Sequence, residues 1–156
     1  MKAEQQLKVL DAYWHGIREI LRAAFDNPTD YVIQKGAGVI ALHAVFPQIV
    51  EIVRSRGLST TEPTSYKNIL AEPLIKLQGD DSEGHPVSGI DFWARAPKGA
   101  AGSYSSSTGR RVLAAKLRQL LPPVEIEEED AMSKKRDIHV VPHGESWATK
   151  RKARSG

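Results

Sequence analysis

The sequence predicts a mainly α fold of the α+β kind: a compact helical domain with few short strands, then an acidic linker and a C-terminal β-hairpin-like tail. Three observations predict it. Apolar residues recur at helical spacing over residues 4–25 and again over residues 110–121. A hydrophobic content of 40% across 156 residues is enough for a real core. After Pro122-Pro123 the composition turns from apolar to charged, which sets the expected divisions at 1–123, 124–137 and 138–156.

In the first helix, Leu7, Leu10, Trp14, Ile17, Leu21 and Ala24 fall on one stripe, widened by Tyr13, Ile20 and Phe25. That stripe is the expected core face, with Trp14 as its largest ring. Asn27-Pro28 ends the helix, because proline lacks the N–H donor and disfavours a helical residue before it. Tyr31-Val32-Ile33 is β-like but short. Val39 to Phe46 reads as a buried helix after Gly36-Ala37-Gly38, and Pro47 as the first turn of a further one, closed by Gly57. A loop spans 58–65. A short helix is expected from Tyr66 to Ala71, ended or kinked by Pro73. Residues 79–89 read as an exposed loop, and Ile90-Asp91-Phe92-Trp93 as a buried apolar anchor. A Gly/Ser-rich loop over 97–109 leads into the last helix, whose apolar face is Val112, Leu113, Leu117 and Leu120.

Charge is small in sum and uneven in placement. The formal net charge is +3. Glu125, Glu127, Glu128, Glu129 and Asp130 form an acidic block, and basic residues crowd the end from Lys134 to Arg154. There is no cysteine, which excludes a disulfide scaffold, a thiolate zinc site and a cysteine nucleophile. The opening residues lack the apolar core of a signal peptide. No uninterrupted run approaches the roughly 18 apolar residues of a membrane span. The expectation is a cytoplasmic protein with no membrane contact.

The segment GSYSSSTGRR is the most suggestive site. A Gly/Ser/Thr-rich turn opening a helix offers free backbone N–H groups at the positive dipole end. Ser105, Ser106 and Ser107 add hydroxyls, and Lys98, Arg110 and Arg111 add charge suited to phosphate. The Gly-Lys-Ser/Thr spacing of a phosphate-binding P-loop is absent. The competing reading is a plain helix cap, with Thr108 or Ser107 capping and the arginines solvated. Gly36-Ala37-Gly38 lacks the third glycine of a dinucleotide fingerprint and reads as close helix packing. His43 reads as a satisfied core residue. His85, beside Asp80, Asp81 and Glu83, is a conceivable metal ligand, but no metal and no cofactor is expected. In the tail, Trp147 flanked by Lys150, Arg151 and Lys152 suits nucleic acid, and a docked hairpin explains it equally well.

The run NPTDYVIQKGAGVIALHAVFPQIVEIV, then GIDFWARAP and GSYSSSTGRRVLAAKL, resembles the C-terminal half of DGQHR-domain proteins. The resemblance covers roughly residues 10–121. It implies a helical fold of the group that includes DNA sulfur-modification regulators and is thought to relate to ParB-like folds. The Asp-Gly-Gln-His-Arg motif itself is absent, so no catalytic residue is carried over. The tail IHVVPHGESWATKRKA is similar to the opening of a small bacterial domain family of unknown function.

The functional expectation is a non-enzymatic bacterial accessory protein contacting DNA or a DNA-processing or phage-defence partner. Lys98, Ser105, Ser106, Ser107, Arg110 and Arg111 would make the contact, assisted by Lys150, Arg151 and Lys152. A protein-interaction or regulatory subunit, docking or self-associating through the first helix, is the alternative. An enzyme holding a phosphorylated substrate at the Gly/Ser loop is the third, and it lacks a convincing general base.

Overall fold

In a computed structural model of the chain, residues 2–124 are described, within a compact unit spanning Met1–Val124. The expected linker from 125 onward and the hairpin-like tail with Lys150, Arg151 and Lys152 lie outside the described residues. The order of elements is α1 (Ala3–Ile20), α2 (Arg22–Asp26), α3 (Gly36–Ser55), α4 (Pro63–Lys76), β1 (Gln78–Asp80), β2 (Pro86–Ser88), two 3-10 turns (Gly89–Trp93 and Ala101–Tyr104) and α5 (Ser107–Leu120). The fold is mainly helical, with one small antiparallel sheet.

The first helix is interrupted at Leu21, whose backbone leaves the helical region, and α2 continues to Asp26 before Asn27-Pro28. The expected stripe is buried at Ile17, Leu21 and Ala24, with Tyr13 beside it, but not at its N-terminal end. Val9, Ala12, Tyr13, Gly16 and Ile17 are buried, Leu10 and Trp14 are half-buried, and Leu7 is 70% exposed. The core needs the row Val9–Tyr13–Gly16, because that row lies against α4. The Tyr13 hydroxyl donates to the Leu42 carbonyl at 2.7 Å, tying α1 to α3 as well.

Pro47 does not start a helix. It lies inside α3, which runs unbroken to Ser55. Proline in a helix interior costs about 3 kcal/mol and leaves the carbonyl four residues back, His43, without its donor. The fully buried Leu42, Val45, Ile49, Ile52 and Val53 outweigh this, at about 1.5–3 kcal/mol each. The same holds for Pro73 inside α4, a helix that starts at Pro63 in the favoured first-turn position and not at Tyr66. Gly57 closes α3 as expected. With φ +67° it supports a Schellman turn: the Gly57 N–H bonds the Arg54 carbonyl at 3.0 Å and the Leu58 N–H the Val53 carbonyl at 3.1 Å. By length and composition α3 is long and apolar enough to cross a membrane, unlike the expectation from uninterrupted runs; its buried face forms much of the domain core.

Residues 79–89 are not a simple loop. They contain most of a hairpin, with Gln78 opposite Ser88 and Asp80 opposite Pro86. The Asp81 carboxylate accepts the Glu83 and His85 N–H groups at 2.8 and 2.9 Å and so builds the turn. These backbone bonds, His85's first, hold its carboxyl below the usual carboxylate range. Phe92 and Trp93 are fully buried, with rings 5.1 Å apart in edge-to-face contact. The Trp93 indole N–H finds no acceptor, at a cost of about 1–3 kcal/mol. Burying the ring removes roughly 200 Å² from water, about 5 kcal/mol, so the anchor is favourable on balance. Antiparallel backbone bonds join this anchor to the Tyr31 segment: Val32 N–H to the Trp93 carbonyl at 2.8 Å, Arg95 N–H to the Asp30 carbonyl at 2.7 Å.

Candidate functional site

The Gly/Ser loop becomes a 3-10 turn that delivers the chain to α5. The cap is Ser106, not Ser107 or Thr108: its hydroxyl accepts the Gly109 N–H at 2.9 Å, and its carbonyl the Arg110 N–H at 2.9 Å. Gly109 is needed because a Cβ there would lie 2.8 Å from the Tyr104 backbone. Among the described residues, no partner accepts from the Ser107 and Thr108 N–H groups. Ser105 is exposed at the end of the 3-10 turn.

From that start α5 follows α3. It buries Leu113, Ala114 and Leu117, while Val112, expected in the core, is 45% exposed. Ser107, Arg111, Ala114 and Arg118 stand at i, i+4, i+7 and i+11, one stripe of a helix, with Arg110 beside it. This stripe and Ile40 and Ala44 of α3 enclose a groove of about 290 Å³. Its lining combines the cationic Arg110, Arg111 and Arg118 with an aliphatic part, here called its floor, of Ile40, Ala44 and Ala114. Arg118 is fixed at the far end, where Nη2 donates to the Ala44 carbonyl at 3.3 Å. Arg110 Nε is shielded from solvent and has no acceptor. An unmet donor of this kind costs about 1–3 kcal/mol.

The electrostatics are one-sided. α5 carries Arg110, Arg111, Lys116 and Arg118 and no carboxylate. Among the described residues none of these four forms an ion pair; Lys116 is spent on the Gln78 carbonyl at 2.9 Å. Arginine stays charged throughout the accessible pH range. Charge at a helix start is opposed by the dipole, so Arg110 and Arg111 do not serve α5 itself.

Lys98, Ser105 and Ser106, expected at the site, do not line this groove. Lys98 lines a separate groove of about 760 Å³ with Asn27, Asp30, Tyr31, Asp91 and Arg95, where two carboxylates offset the two cations. Its groove shares no lining residue with that of Arg110 and Arg111. Arg118, Ile40 and Ala44 are members that the sequence reading omits. The spacing of Arg118 from Ser107 and Arg111 was the available signal, but the pairing of α5 with α3 was not.

Among the described residues no histidine lines the groove. His43 is exposed, not core, and both its ring nitrogens are engaged: the Trp14 indole N–H donates to Nε2 at 3.3 Å, and Nδ1 bonds the Val39 carbonyl at 2.9 Å. An indole N–H only donates and a carbonyl only accepts, so His43 is the neutral Nδ1–H tautomer here. His85 Nδ1 lies 3.5 Å from Asp81 and 3.6 Å from Glu83, but among the described residues no group of three such side chains could hold a metal.

The arrangement can bind an anion through planar, permanently charged donors and can cover an apolar group on its floor. No family model matches the chain, and no curated protein and no solved structure matches it.

Proposed function

We propose that this is a non-enzymatic accessory protein that contacts nucleic acid through the phosphate backbone at the α3–α5 groove. The observation that carries the reading is the set Arg110, Arg111 and Arg118, gathered in one groove with no carboxylate among its lining residues. Guanidinium forks match phosphate oxygens in two-point contact, and the free Ser107 and Thr108 N–H groups lie at the positive end of α5. No histidine or carboxylate lines the groove, so no group is placed there as a general base. A second reading, a protein-interaction subunit, is favoured by the exposed Leu7 on α1 and the shallow apolar groove formed near it by Val9, Leu10, Phe46, Pro47 and Val50.

The test is a salt titration of a labelled oligonucleotide by fluorescence anisotropy, using the full chain. Affinity should fall steeply with salt, because each phosphate contact releases condensed counterions. Arg110→Ala with Arg111→Ala should flatten the slope of log affinity against log salt by about one unit per lost contact, leaving sequence preference unchanged. A Lys150→Ala, Arg151→Ala, Lys152→Ala variant separates any contribution of the tail. Identical curves for wild type and the Arg110/Arg111 variant, or no binding at low salt, contradict the proposal.

A further inference from the structure

Resting on that reading, we infer that the α3–α5 groove accepts one nucleotide unit of a single strand, with the base on the aliphatic floor, and not the ridge of a duplex. A site built only for phosphate has no use for an apolar floor. Yet Ile40 is 43% exposed and lines the groove together with Ala44, Ala114 and the three arginines. A single exposed isoleucine is ordinary. One that lines the same groove as three arginines is a surface that a ring can cover while its phosphate is held by a guanidinium.

The dimensions agree. Arg110 and Arg118 are eight residues apart, roughly 12 Å along α5. That separation leaves a phosphate at the Arg110–Arg111–Ser107 end and a base toward Arg118. The volume of about 290 Å³ lies near the small end of ligand pockets and suits a single ring-bearing unit. A duplex keeps its bases stacked inside, so it can offer this groove phosphate but nothing for the floor. Single-strand sites usually stack bases on aromatic rings, and none lines this groove. The planar guanidinium of Arg118, held to α3 through the Ala44 carbonyl, supplies the stacking face instead.

The experiment compares a labelled single-stranded oligonucleotide with its duplex at one salt concentration, using the full chain. Single strand should bind more tightly, by about fivefold or more, the scale of one stacked base. Ile40→Ser should weaken single-strand binding several-fold while duplex binding and the salt slope stay as in wild type. Arg118→Lys, which keeps the charge and loses the plane, should weaken single-strand binding by a larger factor than duplex binding and guards against a folding defect in the first variant. Equal affinity for the two forms, or both variants binding single strand like wild type, overturns this inference and leaves backbone contact standing. No binding of either form overturns both.

Discussion

The seam between α1 and α4 is closed at Gly16, where a Cβ would lie 2.7 Å from the Pro63 carbonyl oxygen and 2.9 Å from the Tyr66 Cβ. The seam between α3 and α5 stands open as a groove of about 290 Å³. Both join helices of ordinary length, and both bury aliphatic residues beneath. The difference lies in the side chains at the rim. At the first seam a glycine admits the backbone of the next helix, and Tyr13 and Tyr66 meet edge-on with ring centroids 5.6 Å apart. At the second, Arg110, Arg111 and Arg118 line the groove, and Arg118 bonds the Ala44 carbonyl of α3. A helix pair arranged for stability alone has no need of that cationic rim. The comparison separates where the fold is held from where it is free to bind.

The largest effect is expected in the closed seam. Tyr13→Ala removes a fully buried ring and its bond to Leu42, and should cost about 3–5 kcal/mol in urea unfolding. Trp14→Ala, at the half-buried ring beside it, should cost less. Equal losses would break the assignment of the core face. Gly16→Ala comes next. The alanine gains about 1 kcal/mol of helix propensity, but its methyl meets backbone that cannot turn aside, and overpacking costs about 1–3 kcal/mol. A net loss is expected; a gain would show the seam to be looser than described.

Alkaline pH sharpens the contrast. Burial pushes the Tyr13 phenol far up, with Tyr66 adding to the rise, and pushes Tyr66 up to about 12 against a smaller opposing pull from Arg54. The unfolded phenols ionise near 10, so above that pH the unfolded chain holds fewer protons than the folded one. Stability is therefore full below about pH 10 and falls as pH rises toward 12 and beyond. Tyr13→Phe with Tyr66→Phe should flatten that fall in a series of urea midpoints, and an unchanged fall would contradict it. The arginine groove adds no comparable pH dependence. The smallest loss belongs there: Arg110→Ala with Arg111→Ala should cost no more than about 0.5 kcal/mol, and removal of the unmet Arg110 Nε donor acts in the stabilising direction. A larger loss would make the arginines part of the scaffold.

Much of this was legible in the residues. Gly57 gave the end of α3, Asn27-Pro28 the end of α2, and Phe92-Trp93 the anchor, because each depends on local chemistry. What stayed hidden depends on partners. Pro47 and Pro73 read as helix boundaries, and only the burial of their neighbours explains why the helices continue. The apolar stripe of the first helix named Ile17 and Tyr13 correctly but also Leu7, which is exposed, while the use of Gly16 in the core follows from the position of α4. At the site, Ser107, Arg110 and Arg111 were visible as a group. Lys98 was nearby in sequence but in another groove, and Arg118 joined only once α5 lay beside α3.

Amide chemical-shift mapping tests the central claim most directly. On titrating the full chain with a single-stranded oligonucleotide at low salt, perturbations should gather at residues 107–118 and 40–44 and leave α1 and α4 unmoved. Perturbations centred on the α1–α4 seam or on the Lys98 groove, with 107–118 silent, would contradict the account.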